Sequence, residues 1–295
     1  MRAWLAIAGL ALLVPVATAC GPAAEESPGD GATPTVAATG AGPTAAATGA
    51  TPPASAGDTV TGPPTGVGFD YQLGGDYPVP ADVGVVVRQW DSAPAPGVYS
   101  VCYVNAFQTE AQADGPGGAE RWPDGLVLDI TDPEWPGEHP IDIGTPAHRD
   151  AAAAFVSDML AACAERGFDA VEFDNLDSYQ RYPDLPSDRD DTIAYARLLV
   201  DAATRSGLAA GQKNTPDLLD AAPDIGFSFA IAEECGQFDE CESYVDRYGD
   251  AVFDVEYTRD GLDAACAAIG ERAAVIQRDL DLVPGDSPGY LRRVC

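Results

Sequence analysis

The sequence predicts an α/β fold, a (β/α)8 TIM barrel in one domain, and three observations predict it. Short apolar runs recur along the chain, and four of them end in acid: Leu126-Val-Leu-Asp129, Ala170-Val-Glu-Phe-Asp-Asn175, Phe229-Ala-Ile-Ala-Glu-Glu234 and Val252-Phe-Asp-Val-Glu-Tyr257. Buried strands select Val, Ile and Phe, and they carry charge at an end only where that end opens into a polar site. The order helix–glycine–strand occurs twice, at Gly167 and Gly207, which is the alternation of a parallel sheet. The stretch from Val67 to Cys295 has the size of one barrel. A doubly wound open sheet competes, but no glycine-rich phosphate loop follows any strand.

Nine runs read as strands: Phe69–Leu73, Val83–Arg88, Val98–Asn105, Leu126–Ile130, Ala170–Phe173, Ala209–Gln212, Phe227–Ala232, Val252–Glu256 and Ala274–Arg278. A barrel has eight places, so one of the nine is expected outside it. The first clear helix opens with Thr145 as cap and Pro146 at its first position. Phe155, Met159 and Cys163 then recur on one face, and Gly167 ends it. A second helix is expected from Asp190 to Ser206 with Gly207 as its stop, and a third from Thr258 to Ile269 with Gly270 as its stop.

Residues 1–19 read as an export signal: Arg2, an apolar stretch from Leu5 to Val16, then the small-residue site Ala17-Thr-Ala-Cys20. Cys20 stands where a bacterial lipoprotein carries its lipidated cysteine, which would make the protein a cell-surface lipoprotein; ordinary cleavage near Ala19 and full secretion is the alternative. The apolar stretch is shorter than the roughly 20 residues a spanning helix needs. Residues 20–66 are Ala, Thr, Pro and Gly without an aromatic residue, the composition of a disordered tether. Residues 67–295 then form the barrel domain.

Cys20 aside, six cysteines remain, an even number that outside the cell favours three disulfides among 15 connectivities. Cys235–Cys241 is expected as a small loop and Cys266–Cys295 as a pin on the C-terminus, which leaves Cys102–Cys163. No metal or organic cofactor is implied. There is no C-x-x-C, and His139 and His148 are not spaced as a ligand pair. A net charge of −31 with 16 basic residues argues against nucleic acid as partner. It suits a cationic polymer, or serves only solubility. A monomer is expected. The chain holds one lysine, Lys213, in Ala209-Ala-Gly-Gln-Lys-Asn214 beside an expected strand end.

Gly167-Phe-Asp-Ala-Val-Glu-Phe-Asp-Asn-Leu-Asp177, Gly207-Leu-Ala-Ala-Gly-Gln-Lys-Asn214, Ala232-Glu-Glu-Cys235 with Cys241, and Val252-Phe-Asp-Val-Glu-Tyr257 together resemble glycoside hydrolase family 114. Phe69-Asp-Tyr-Gln-Leu73, Trp135-Pro-Gly-Glu138 and Ile141-Asp-Ile143 also look like that family, and the order of motifs matches from Phe69 to Arg278. The resemblance implies a TIM barrel and an endo-α-1,4-polygalactosaminidase activity on a galactosamine-containing polysaccharide. Two positions depart from the pattern. Cys102-Tyr-Val-Asn-Ala-Phe-Gln108 stands where a Tyr-Ile-Ser-Val-Gly-Glu type strand is usual, and Ala232 where Asn is usual. They bear on the substrate more than on the fold.

The chemistry follows from the residues as well. Glycosidic cleavage takes two carboxyl groups across the bond, one donating a proton and the other attacking carbon or activating water, with environments that hold their pKa values apart. Asp174 and Glu233 lie at strand ends, and the resemblance marks the same two positions, with Asp174 as nucleophile or base and Glu233 as acid. Asp174 capping the next turn is the structural alternative, and alternation leaves Glu234 as a substitute for Glu233. Glu172 shares a face with Asp174 and is expected either to pair with Lys213 inside the barrel or to leave that lysine for substrate. Asn175 and Asn214 suit sugar hydroxyls. Asp129 and Glu256 are strand-end acids for an amino sugar's ammonium. Trp90, Tyr103, Trp135 and Tyr257 are candidates to stack on sugar faces. Asn105 and Gln108 are candidate subsite residues. A non-catalytic carbohydrate-binding lipoprotein on a barrel, or a hydrolase of another glycan, is the competing function.

Overall fold

The computed structural model describes residues 60–295. The export signal, Cys20 and the tether up to residue 59 lie outside the described residues. Eight strands run in chain order: β1 (Gly68–Gln72), β2 (Val83–Gln89), β3 (Tyr99–Asn105), β4 (Ala170–Asp174), β5 (Ala209–Lys213), β6 (Phe229–Glu233), β7 (Val252–Glu256) and β8 (Ala274–Arg278). Each pairs in parallel with the next, so sequence order and spatial order coincide, as in a barrel. The β3–β4 crossover carries α1 (Pro146–Arg166), and β4–β5 carries α2 (Ser178–Arg181) and α3 (Arg189–Arg205). Next come α4 (Ala222–Ile225), then α5 (Cys235–Phe238) with α6 (Cys241–Tyr248), and α7 (Arg259–Ile269) before β8. Among the described residues the β1–β2 and β2–β3 crossovers hold no helix, so the (β/α)8 pattern is complete only from β3 onward.

Eight of the nine expected strands form. Leu126–Ile130 does not: its backbone makes one isolated bridge, Val127 to Ile141, in the long β3–β4 crossover. Leu126 is buried there for core packing and the run gains no ladder. The helix signals act as expected. Thr145 Oγ1 accepts from His148 N at 3.2 Å, and Gly167 leaves α1 at φ 92°. Asp188 and Asp191 form a capping box on α3, and Thr258 caps α7.

Alternation sorts each strand. Phe69, Val85, Val101, Ala170, Phe229 and Phe253 point inward and fill the barrel's lower layers. Gly211 takes one inward place because a Cβ there would meet the Phe229 ring at 2.5 Å. The opposite face of β3 and β4, with Val104 and Phe173, packs under α1 and α3.

The seam between β8 and β1 is built differently. A ninth strand, β9 (Arg292–Val294), which sequence reasoning missed, pairs antiparallel with β8. Arg292 Nη2 donates to Phe69 O at 3.0 Å, and Arg278 Nη1 donates to Tyr71 O. Buried Asp70 faces both guanidinium groups.

The disulfides are Cys102–Cys163, Cys235–Cys241 and Cys266–Cys295. The first ties β3 to α1 and the last pins β9, as expected. Val60 and Thr61, expected as tether, lie against the barrel: Val60 packs on the inner cluster, and Tyr99 Oη donates to Thr61 O at 2.8 Å. Among the described residues no helix is long and apolar enough to cross a membrane.

Candidate active site

The C-terminal ends of the strands open into a cleft of about 280 Å³. Its floor is made by inward residues near the C-terminal ends of successive strands: Tyr103 of β3, Asp174 of β4, Lys213 of β5, Glu233 of β6 and, one residue past β7, Tyr257. The curled parallel sheet brings five sequence-distant residues to one cleft, the usual origin of a site at this end of a barrel.

Lys213 is the hub. Its ammonium is 3.0 Å from Glu172 Oε1, 3.1 Å from Glu233 Oε2 and 3.4 Å from Asp174 Oδ1. It also donates to Tyr71 Oη at 2.9 Å, and that hydroxyl donates to Glu172 Oε1 at 2.9 Å. Glu172 is 0% exposed and lies beneath the cleft floor, while Lys213, 1% exposed, is part of that floor. The alternatives left open by the sequence resolve toward the ion pair with Glu172, extended to two further carboxylates. Burial pushes the Lys213 ammonium down, but the carboxylates of Asp174, Glu172 and Glu233 outweigh it and hold the group well above the usual lysine range. One cation cannot compensate three anions. Burial, with the Asp174 charge, lifts Glu172 to about 7 against the pull of Lys213.

Asp174 and Glu233 are held differently. Asp174 accepts from Tyr103 Oη at 2.7 Å and from Asn175 N at 2.7 Å. Burial raises its carboxyl, but Lys213, Tyr103 and the Asn175 amide outweigh burial and keep it below the ordinary carboxylate range. It therefore stands ionised at neutral pH. Glu233 accepts from the Tyr257 hydroxyl, and its backbone N donates to Asn214 Oδ1 at 2.7 Å. The turns after β4, β5 and β6 place Asn175, Asn214 and Glu234 at φ 65°, 44° and 59°. Asn tolerates that region; Glu does so at a cost of roughly 1–2 kcal/mol.

The structure brings Asp174, Glu172, Asn175, Lys213, Glu233 and Tyr257 together. Asn105 and Asn214 lie just behind the cleft. Asn105 accepts from Asn175 Nδ2 at 2.8 Å and donates to Glu138 Oε2 at 3.0 Å. Five expectations need correction. Asp129 is exposed in the loop whose strand did not form, outside the cleft. Glu256 falls on the helix-facing side of β7, where its Oε1 accepts from Gly236 N. Glu234 N donates to Val255 O, and its side chain does not line the cleft. Trp90 donates to Glu110 Oε1 at 2.7 Å and sits under Arg166, away from the cleft. Gln108, also a subsite candidate, is buried against Asp132 and Tyr182. Trp135 does line the cleft and is 52% exposed.

Two cleft-lining residues were missed. Tyr71 reads as core in an aromatic run, and only its register with Glu172 and Lys213 gives its hydroxyl a task. Glu138 belongs to a quoted motif but to no strand end. It lines the cleft, and burial, with Asp174 and Asp132, lifts its carboxyl to about 7 although Asn105 donates to it.

The model of glycoside-hydrolase family GH114 matches residues 49–295. Among solved structures, Aspergillus fumigatus Ega3 in complex with galactosamine is similar at a TM-score of 0.68 and 20% identity, over 81% of this chain and 99% of that one. The glycoside hydrolase domain of PelA from Pseudomonas aeruginosa is similar at a TM-score of 0.49 and 18% identity, over 77% of this chain and 98% of that one. No curated protein matches the sequence. The family match spans the barrel and every residue of the carboxylate cluster, and the chain belongs to glycoside-hydrolase family GH114.

Proposed function

We propose that this glycoside hydrolase cleaves α-1,4 linkages within a galactosamine-containing polysaccharide, with Asp174 as nucleophile and Glu233 as acid and then base. The observation that carries the reading is the pair of carboxyls bridged by one buried ammonium. The two contacts of Lys213, 3.4 and 3.1 Å, cap the separation of those carboxylate oxygens at their sum, about 6.5 Å. Roughly 5–5.5 Å suits a covalent, retaining route, and roughly 6.5–9.5 Å one that admits water between the groups.

In the first step an Asp174 oxygen bonds the anomeric carbon as the glycosidic C–O bond breaks, and Glu233 gives its proton to the leaving oxygen. In the second, Glu233 takes a proton from water, whose oxygen bonds the anomeric carbon and releases Asp174. Lys213 keeps Asp174 ionised before attack. Once Asp174 is esterified the ammonium is left to Glu172 and Glu233. Glu138 is placed to meet the ammonium of a deacetylated sugar, the role expected of Asp129 and Glu256, and Trp135 offers its exposed ring to a sugar face.

The test is product release from a partly deacetylated α-1,4-galactosaminogalactan. Oligosaccharides from wild type, absent with Asp174→Asn and Glu233→Gln at unchanged fold, are the expected result. NMR of the first product should show the anomeric configuration retained. A well-folded wild type that releases nothing would remove this substrate.

The three disulfides support export to an oxidising compartment. Anchoring through a lipid on Cys20 is part of the same proposal, and Cys20→Ala should move the protein from the membrane fraction to the medium.

A further inference from the structure

Alternation along β7 sends Phe253 and Val255 into the barrel and Asp254 and Glu256 outward under the helices. Both acids are 0% exposed. Asp254 Oδ1 accepts from Cys235 N at 3.4 Å, and Glu256 Oε1 accepts from Gly236 N at 2.6 Å. These amides open α5, directly after Glu233 and the left-handed Glu234. The second oxygens, Asp254 Oδ2 and Glu256 Oε2, are buried and have no hydrogen-bond partner. A carboxylate oxygen of each residue lies within 4.8 Å of the other's.

Two bare carboxylates cannot share such a place. The sulfurs of Cys235 and Cys241 lie in the same cluster, but their disulfide leaves no thiolate for a metal. The packed elements supply no compensating cation. Glu233 of β6 acts on Asp254, Glu234 of the turn acts on Glu256, and Tyr244 of α6 faces Asp254. On α7, Arg259 pairs with Asp263 in solvent. The enclosure is tight: a Cβ on Gly261 would fall 2.1 Å from Glu256 Oε2, and one on Gly236 would fall 2.5 Å from Gly261 O. With a single shared proton making one of them the donor, the two side chains hydrogen-bond each other.

We infer that Asp254 and Glu256 are a positioning pair for Glu233, a carboxylic acid and a carboxylate sharing one proton and gripping the turn that follows the catalytic strand end. The pair touches no substrate and acts through the Cys235 and Gly236 amides. Burial, then the neighbouring Glu256, lifts Asp254 well above the carboxylate range, and burial lifts Glu256 as well. Stability from such a group is in place below the ordinary carboxylate pKa and is lost as pH rises through its folded value. At alkaline pH the proton leaves, the two charges repel, and the turn behind Glu233 loosens.

The proposal rests on Glu233 as a catalytic carboxyl, so its test includes readouts that need no turnover. In the full chain, Asp254→Asn carries a permanent N–H donor in place of the shared proton. Its melting temperature should equal wild type's near ~pH 5 and exceed it by a few degrees near ~pH 8.5. The infrared difference spectrum, wild type minus variant, should show a carboxylic-acid carbonyl band at neutral pH. On the partly deacetylated polymer, the alkaline limb of kcat should move to higher pH in Asp254→Asn, with KM and the acid limb unchanged. Asp254→Ala, which drops the Cys235 amide, should lower kcat roughly ten- to a hundredfold at unchanged KM. Glu256→Gln supplies the same permanent donor and stands in if Asp254→Asn does not fold. Parallel melting curves against pH for wild type and both isosteric variants would overturn the shared proton. A rise in wild-type melting temperature on adding a divalent cation would overturn it too, in favour of a metal site. If wild type cleaves no galactosamine polymer, the substrate reading fails while the melting and infrared results still decide the pair.

Discussion

Lys213 shows how much one side chain carries here. Its ammonium is buried among Glu172, Asp174 and Glu233, so removing it leaves three carboxylates without a cation. Breaking a buried pair from one side typically costs about 3–5 kcal/mol. Lys213→Met, which keeps length and apolar stem, should therefore lower stability by about that much in urea unfolding. It should also raise the Asp174 carboxyl, whose depression comes partly from this ammonium. The acid limb of kcat/KM then moves to higher pH if Asp174 is the nucleophile proposed above, which must be ionised in the free enzyme. An unmoved acid limb in a folded variant would remove Lys213 from that task. Glu138 has a separate signature. Glu138→Gln should raise KM for the deacetylated polymer roughly tenfold, the worth of a charge-assisted contact, and leave a fully N-acetylated polymer unaffected. Equal losses on both polymers would make Glu138 a shape contact only. Strand-end acids were legible at Asp174 and Glu233 because each closes an apolar run with inward parity. Glu256 closes a similar run with outward parity. The sequence shows a period of two but not which phase faces in, and neighbours across the ladder decide that.

Elements were legible where local chemistry and burial agree. Thr145-Pro146 and Gly167 bracket α1, because caps satisfy amides that are orphaned whatever the tertiary context, whereas the Asp188–Asp191 box that opens α3 was not read from the sequence. Leu126–Ile130 was misread because an apolar run ending in acid has the same composition when it packs as a loop. Nothing local separates that from a strand until the ladder partner is absent. Conversely, β9 holds Arg292, Arg293 and Val294, a polar run, and becomes a strand because the open edge of β8 and the Cys266–Cys295 bond hold it there. The disulfides differ in the chain they close, with sequence separations of 61, 29 and 6. Chain entropy makes the loss of each cost about 4.3, 3.6 and 2.4 kcal/mol in that order. Paired Cys→Ser variants should rank the same way in denaturant midpoint, Cys102–Cys163 being the most damaging. Loss of Cys235–Cys241, the mildest for stability, should still lower kcat because it frees the turn behind Glu233. A Cys235–Cys241 variant with wild-type kcat would show that the strand register alone holds that carboxylate.

At the scale of the whole molecule, 47 acidic against 16 basic residues set a field that no single contact explains. The cleft adds to it, since Glu138, Asp174 and Glu233 line it and the lysine at its floor is consumed by carboxylates. A polymer of unsubstituted galactosamine is polycationic, so encounter should be steered, and steering of this kind raises association rates by about 10–10³-fold at low salt. The Debye length shrinks from about 10 Å at 0.1 M to about 3 Å at 1 M. From low salt to about 0.5 M, kcat/KM on a fully deacetylated polymer should therefore fall roughly tenfold or more, mostly through KM. The N-acetylated polymer has the same linkage and no charge, and its kcat/KM should stay level over the same range. The two curves separate the field from the cleft. If both fall together, salt acts on the enzyme itself. If neither falls, the acidity serves solubility and recognition of the amine rests on Glu138 alone. A steep fall confined to the charged polymer would mean that the surface gathers substrate which the cleft then selects, and the apparent preference for deacetylated chains would weaken in proportion to salt.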